Sequence, residues 1–142
     1  MIAKQLSVFI ENRQGRLGEV LNVLKKNNVN IISLSLADTT EYGLLRLIVN
    51  NPELGREELS KEGFSTMVTE VLVIKIEHKS GTLQQLLSTL SQNHVDIEYM
   101  YGLSIDGDSA SVVVKTSDLN KASKILIDNG AKALTKEDIS KF

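Results

Sequence analysis

Among its 142 residues the chain has no cysteine. That absence excludes a disulfide scaffold, a thiolate zinc site and cysteine catalysis together. Nor does charge of one sign prevail: 16 Lys and Arg stand against 18 Asp and Glu, a net charge of −2. So balanced a chain has no electrostatic footprint for a nucleic-acid backbone or an anionic membrane. Long hydrophobic runs are missing, since no stretch approaches the roughly 20 apolar residues that cross a bilayer. The first residues, Met1-Ile2-Ala3-Lys4-Gln5, enter an alternating pattern directly, without the apolar run of a signal peptide. The expectation is a soluble, cytoplasmic protein. Catalytic signatures are absent too: there is no Walker loop, no Gly-x-Gly-x-x-Gly and no Gly-x-Ser-x-Gly elbow.

What is present is a core-forming hydrophobic fraction of 42% and a pattern that occurs twice. Gly15-Arg16-Leu17 and Gly81-Thr82-Leu83 lie 66 residues apart (81 − 15). On that offset Leu6, Val8 and Ile10 meet Leu72, Ile74 and Ile76, and Leu17, Leu21 and Leu24 meet Leu83, Leu87 and Leu90. Asn27, Val29 and Ile31 meet Asn93, Val95 and Ile97. Later the offset becomes 67, with Leu45 and Leu47 on Val112 and Val114 and Gly63 on Gly130 (130 − 63). One extra residue explains the slip, and the turn at Asp106-Gly107-Asp108 is its expected place. A duplication of this kind organises the whole chain.

Each copy predicts the same elements. Leu6, Val8 and Ile10 alternate with Ser7, Phe9 and Glu11, the period of a half-buried strand. Leu17, Val20, Leu21 and Leu24 fall on one helix face, and Leu83, Leu86, Leu87 and Leu90 repeat the stripe. Asn27-Asn28 suits a helix end. Two β-rich runs follow, Asn30–Leu36 and Leu44–Val49. Asn51 and Asp118 are the predicted caps of second helices, with Pro52 in a first-turn position and Gly63 and Gly130 as stops. Final strands are expected near Thr66–Glu70 and Ala131–Leu134, the first running into the next copy with almost no linker. The polar end, Thr135–Phe142, suggests a loose helical turn. The order is βαββαβ twice: an α+β protein of two ferredoxin-like units, residues 1–70 and 71–142, each an antiparallel sheet with both helices on one face.

A ferredoxin-like sheet can bind RNA through aromatics on its open face, but this chain has three Phe, three Tyr and no Trp, and lacks that signature. The two histidines, His78 and His94, fall at opposite ends of one helix, roughly 20 Å apart at 1.5 Å per residue. They share neither a metal nor a proton relay, and no catalytic group, metal or cofactor is expected. His94 reads as a solvated helix end, whereas His78 lies in a loop where a ligand role is open. Arg46, beside the core-facing Leu45 and Leu47, reads as a residue of the open sheet face. Tyr99 and Tyr101, on one side of a strand, read as packing or interface.

The informative segment joins the first strand to the first helix: Asn12-Arg13-Gln14-Gly15-Arg16-Leu17, and in copy two His78-Lys79-Ser80-Gly81-Thr82-Leu83. Such a loop presents backbone N–H groups at the positive end of a helix, which favours a carboxylate. Glycine lets the backbone approach a small ligand, and Asn12 or His78 can hold its polar groups. The other reading stands beside it: Asn12 caps the turn and Leu17 pins the helix to the core.

Strand, Asn-x-x-Gly-x-Leu, leucine-striped helix and Val29-Asn30-Ile31 together resemble the ACT domain, a small regulatory module that typically binds amino acids. His78 to Leu83 with Val95-Asp96-Ile97 resembles a second one. The runs Ala37-Asp38-Thr39, Gly43-Leu44-Leu45-Arg46 and Asp96 to Tyr101 resemble stand-alone tandem ACT proteins. The resemblance covers about Lys4 to Leu134. It implies units that pair through their second strands and hold an amino acid at that seam, between the loop of one and the second strand of its neighbour. In serine-sensing members, asparagines at the positions of Asn12 and Asn30 hold the ligand. Copy one has both, with Ile31 next in the strand; copy two departs, with His78 and Asp96. The expected site residues are thus Asn12, Arg13, Gln14, Gly15, Arg16, Leu17, Asn30 and Ile31, and His78, Gly81, Thr82, Leu83 and Asp96. The function implied is a non-enzymatic amino-acid sensor, with a free amino acid as ligand, a homodimer as its assembly and a separate metabolic enzyme or regulator as listener. The alternative is a dimerisation or docking module that regulates a separate enzyme without a ligand of its own.

Overall fold

The computed structural model describes residues 2–11, 13–38 and 41–142. The elements run β1 (Ile2–Glu11), α1 (Arg16–Lys26), β2 (Ile31–Asp38), β3 (Tyr42–Val49), α2 (Pro52–Lys61), β4 (Ser65–Glu77), α3 (Thr82–Gln92), β5 (Ile97–Asp106), β6 (Ser109–Thr116), α4 (Leu119–Asp128), β7 (Lys132–Ala133) and α5 (Lys136–Ser140). The βαββαβ order thus occurs twice, and β4 serves both copies as one 13-residue strand. The chain parts into two compact units: Lys4–Thr69, and Glu70–Phe142 joined by Ile2 and Ala3.

In the first unit β3 pairs antiparallel with both β1 and β2, and β2 is the end strand. Leu6, Val8 and Ile10 face Leu47, Leu45 and Gly43 in register. These residues close a core with Val20 and Leu24 of α1, Leu59 of α2 and Phe64. Helix α2 starts where an Asn-Pro pair predicts it: the Asn51 side chain accepts the Leu54 N–H at 3.2 Å. In the second unit β6 pairs with β4 and β5, and β7 adds to the other edge of β4. Its core joins Leu72, Ile74 and Ile76 to Leu86 and Leu90 of α3 and Ala122 and Leu126 of α4. Asp118 caps α4 by accepting the Lys121 N–H at 3.1 Å. Arg46, in register with Ser7 and Ser35, lies on the face opposite Leu45 and Leu47, as expected.

Two local expectations change. The extra residue of copy two is not in the turn. Leu36 pairs Leu45 and Ala37 pairs Leu44 without interruption. In the second unit Gly102 pairs Val112 and Ser104 pairs Ser111, so Leu103 stands out of register as a bulge. Beyond it the two hairpins match, Asp38 on Gly43 and Ile105 on Ala110. A bulge absorbs one residue without disturbing the pattern on either side, so hydrophobic matching alone could not tell it from a longer turn. The chain end is likewise more ordered than a loose turn: α5 carries a capping box between Thr135 and Asp138 and buries Ile139. The sheet face away from the helices, which has to be either solvated or covered, is covered in part. Gln5, Ser7, Val73 and Val113 are all buried.

Candidate ligand site at the first loop of each unit

The two loops share one backbone device. Gly15 and Gly81 sit immediately before α1 and α3 with φ of +86° and +90°, a region that costs an L side chain about 1–2 kcal/mol. Neither helix has a side-chain cap among the described residues. The loop instead folds back on itself: Arg16 N–H donates to the Arg13 carbonyl at 3.3 Å, and Thr82 N–H to the Lys79 carbonyl at 3.2 Å. The first-turn amides beyond them point along the helix axis with no intrahelical partner, as at any helix start.

The side chains then diverge. Asn12 lies outside the described residues. Arg13 and Gln14 are exposed, Arg13 with its Nε 3.8 Å from Glu11. Arg16 turns inward: its guanidinium lies 4.1 Å above the Phe64 ring, its Nη1 pairs with Glu19, and its buried Nε has no hydrogen-bond partner among the described residues. Copy two has Thr82 and Ala131 at those two places, and a polar cleft of about 340 Å³ lined by Thr82, Gln85 and Asn129 lies there. Leu17 packs against the first core and Leu83 against the second.

Asn30 and Asp96 lie at the far end of α1 and α3 from these loops. Eleven helical residues at 1.5 Å each separate them by about 16 Å. The Asn30 backbone is tied to Asn50, donating to its Oδ1 at 2.9 Å and accepting from its N–H at 3.1 Å. Ile31 follows, paired with Val49. Asp96 is exposed. No single unit therefore brings its loop and the start of its second strand together.

A different pairing does occur in the second unit. The Glu77-His78-Lys79 segment and Leu83 face the bulged part of β5 across a cavity of about 530 Å³, floored by Ile76, Ala110 and Val112. The His78 N–H donates to the Asp108 carbonyl at 2.6 Å and ties the loop to the β5–β6 turn. Glu77 and Lys79, 4.0 Å apart and exposed, bring both signs of charge to the cavity mouth. His78 and Leu83 were expected at a site; Gly102, Leu103, Ser104 and Ile105 were not. The signal for them was the slip from offset 66 to 67. Among the described residues no group of three or more His, Asp or Glu is placed to hold a metal. No described helix is long and apolar enough to cross a membrane.

The profile of the ACT domain pair family matches residues 1–142. The chain belongs to that family. This ACT pair is similar to the solved structure of protein BT0572 from Bacteroides thetaiotaomicron, at 37% identity over 100% of this chain and 98% of that one, with a TM-score of 0.93. The fold is shared more distantly with the ligand-free regulatory subunit of aspartate kinase from Thermus thermophilus, at 11% identity, 89% and 95% coverage and a TM-score of 0.65. It is also shared with a regulatory domain described for aspartate kinase of Porphyromonas gingivalis, at 14% identity, 90% and 94% coverage and a TM-score of 0.52. No curated protein matches the sequence.

Proposed function

We propose that this ACT pair is a non-enzymatic regulatory protein that binds a free amino acid at the loop before the first helix of a unit. The observation that carries the reading is the 530 Å³ cavity against the His78–Leu83 loop, with charges of both signs at its mouth. Family membership supports a regulatory role, and the ligand-free regulatory subunit of aspartate kinase shares the fold. Asn12 and Asn30 belong to the same reading in the first unit, as do His78 and Asp96 in the second. Because helix length separates each pair, a site that uses both members is completed by a second copy of the chain. Binding then biases how copies pack, which is how a small ligand is transmitted to a separate enzyme or regulator.

A thermal-shift series against the twenty amino acids at millimolar concentration tests this. A ligand that binds only the folded state at 100 times its dissociation constant stabilises by about 2.7 kcal/mol, a readily measured shift. One or two amino acids are expected to raise the melting temperature, and Asn12→Ala and His78→Ala to assign the response to a unit. A flat result across all twenty overturns the reading in favour of a docking module without a ligand. That alternative draws support from the exposed apolar side chains of the first unit: Phe9, Leu34, Leu36, Tyr42 and Met67.

A further inference from the structure

We infer that the cavity of the second unit selects an amino acid with an aliphatic side chain. The inference rests on the amino-acid reading above and specifies the ligand class.

The argument comes from the duplication. In the first unit Leu36 pairs with Leu45 on the core side of the sheet and lays its Cδ1 over Gly43, 3.3 Å from where a Cβ would be. The corresponding residues of the second unit are Gly102, Val112 and Ala110, all lining the cavity. Glycine in place of leucine removes the half-exposed side chain that covers this position in the first copy. A Cβ built on Gly102 meets nothing within 4 Å. The bulged Leu103, and Ile105 where the first copy has Asp38, join Ile76 and Leu83 as apolar wall. The second copy thus has an apolar slot where the first has a leucine side chain of its own.

The mouth supplies the other half of the recognition. Glu77 and Lys79 are exposed and only loosely paired at 4.0 Å, so a zwitterion can recruit each without breaking a strong bond. Opposite charges at the rim and hydrocarbon behind them match an ammonium and carboxylate on one carbon bearing an aliphatic tail. Burying that tail is the source of discrimination, because a polar side chain in the slot loses its hydration with few groups to replace it.

Isothermal titration of the full chain with leucine, isoleucine, valine, serine, asparagine and aspartate, each in turn, tests the inference. The aliphatic three are expected to bind and the polar three to bind at least tenfold more weakly. Gly102→Leu restores the first-copy side chain and should weaken aliphatic binding at least tenfold while far-UV circular dichroism stays unchanged. Gly102→Ala, a smaller change, should give an intermediate loss and keeps the test valid should the leucine variant fail to fold. Binding confined to polar amino acids overturns the aliphatic selection and leaves the amino-acid reading standing. Aliphatic binding untouched by both Gly102 variants overturns the placement in this slot. Failure of all six to bind, together with a flat thermal-shift series across the twenty amino acids, overturns both readings.

Discussion

Position 55 in the first copy and position 122 in the second are the same place in the repeat, yet one is glycine and the other alanine. Both are buried on a helix that packs on the sheet. A Cβ on Gly55 would lie 2.9 Å from Leu6 Cδ2 and 3.4 Å from Leu24 Cδ2, two fully packed core leucines. Alanine in a helix interior is intrinsically favoured over glycine by about 1 kcal/mol. Overpacking a closed core costs about 1–3 kcal/mol. Because Leu6 has no solvent to move into, the second effect should win. Gly55→Ala is expected to lower stability by about 1 kcal/mol in a urea melt; an unchanged or higher midpoint would mean that the Leu6 side chain repacks freely. Other single residues were legible from chemistry alone. Asn51 and Asp118 cap because a short side-chain oxygen reaches a free N–H two or three residues on. The inward turn of Arg16 was not legible, since the Phe64 ring it covers is 48 residues away (64 − 16) in sequence and local pattern holds no information about that contact.

Short elements separate what sequence shows from what it hides. Helix α5 has only five residues, too few for periodicity to reveal, and it depends on its ends. Asp138 accepts the Thr135 N–H at 2.9 Å, and Thr135 Oγ1 accepts the Asp138 N–H at 3.1 Å. The backbone hydrogen bond from Thr135, then the bond to its side chain, holds the Asp138 carboxyl below the ordinary carboxylate range. A carboxyl lowered on folding contributes stability that is present above its unfolded pKa, and that contribution is lost as the pH falls through its folded value. The protection of the amides of residues 136–140, their exchange measured against the intrinsic rate at each pH, should therefore be greatest near neutral pH and fall in acid. Asp138→Asn should flatten that fall, and Thr135→Ala should cost about 1 kcal/mol of local stability near neutral pH and less in acid. Equal pH profiles for Asp138→Asn and the parent would remove the capping box from the account. The β5 bulge teaches the complementary lesson. An extra residue was legible as a one-residue slip, but that it forms a bulge, and where, was not, because strands on either side keep alternation of two and only pairing partners reveal which residue is left over.

At the scale of the molecule, the repeat made the architecture readable, since each half needs a leucine stripe and alternating strands to close its own core, and both cores draw on those residues, though Leu21 and Leu87 of the stripes lie outside them. The candidate site was only half readable: its loop has a motif, whereas its opposite wall arises from a missing side chain and a bulge. Assembly is where the remaining surface makes a prediction. Strand β2 pairs with β3 and is the end strand of the first unit. Its eight residues, IISLSLAD, include no lysine and no proline, the usual devices that keep a strand edge from pairing with another chain. On the core side it leaves Leu34 and Leu36 each 47% exposed. A long apolar edge of this kind is stable in water when a second copy covers it, and the two-fold pairing that results is the commonest form of assembly. The chain is therefore expected to sediment as a dimer. Lysine at both positions, Leu34→Lys with Leu36→Lys, places like charges face to face across a two-fold seam while leaving the buried core untouched. Analytical ultracentrifugation should then show a monomer with unchanged far-UV circular dichroism. A double variant that still sediments as the parent does would assign self-association to a different surface.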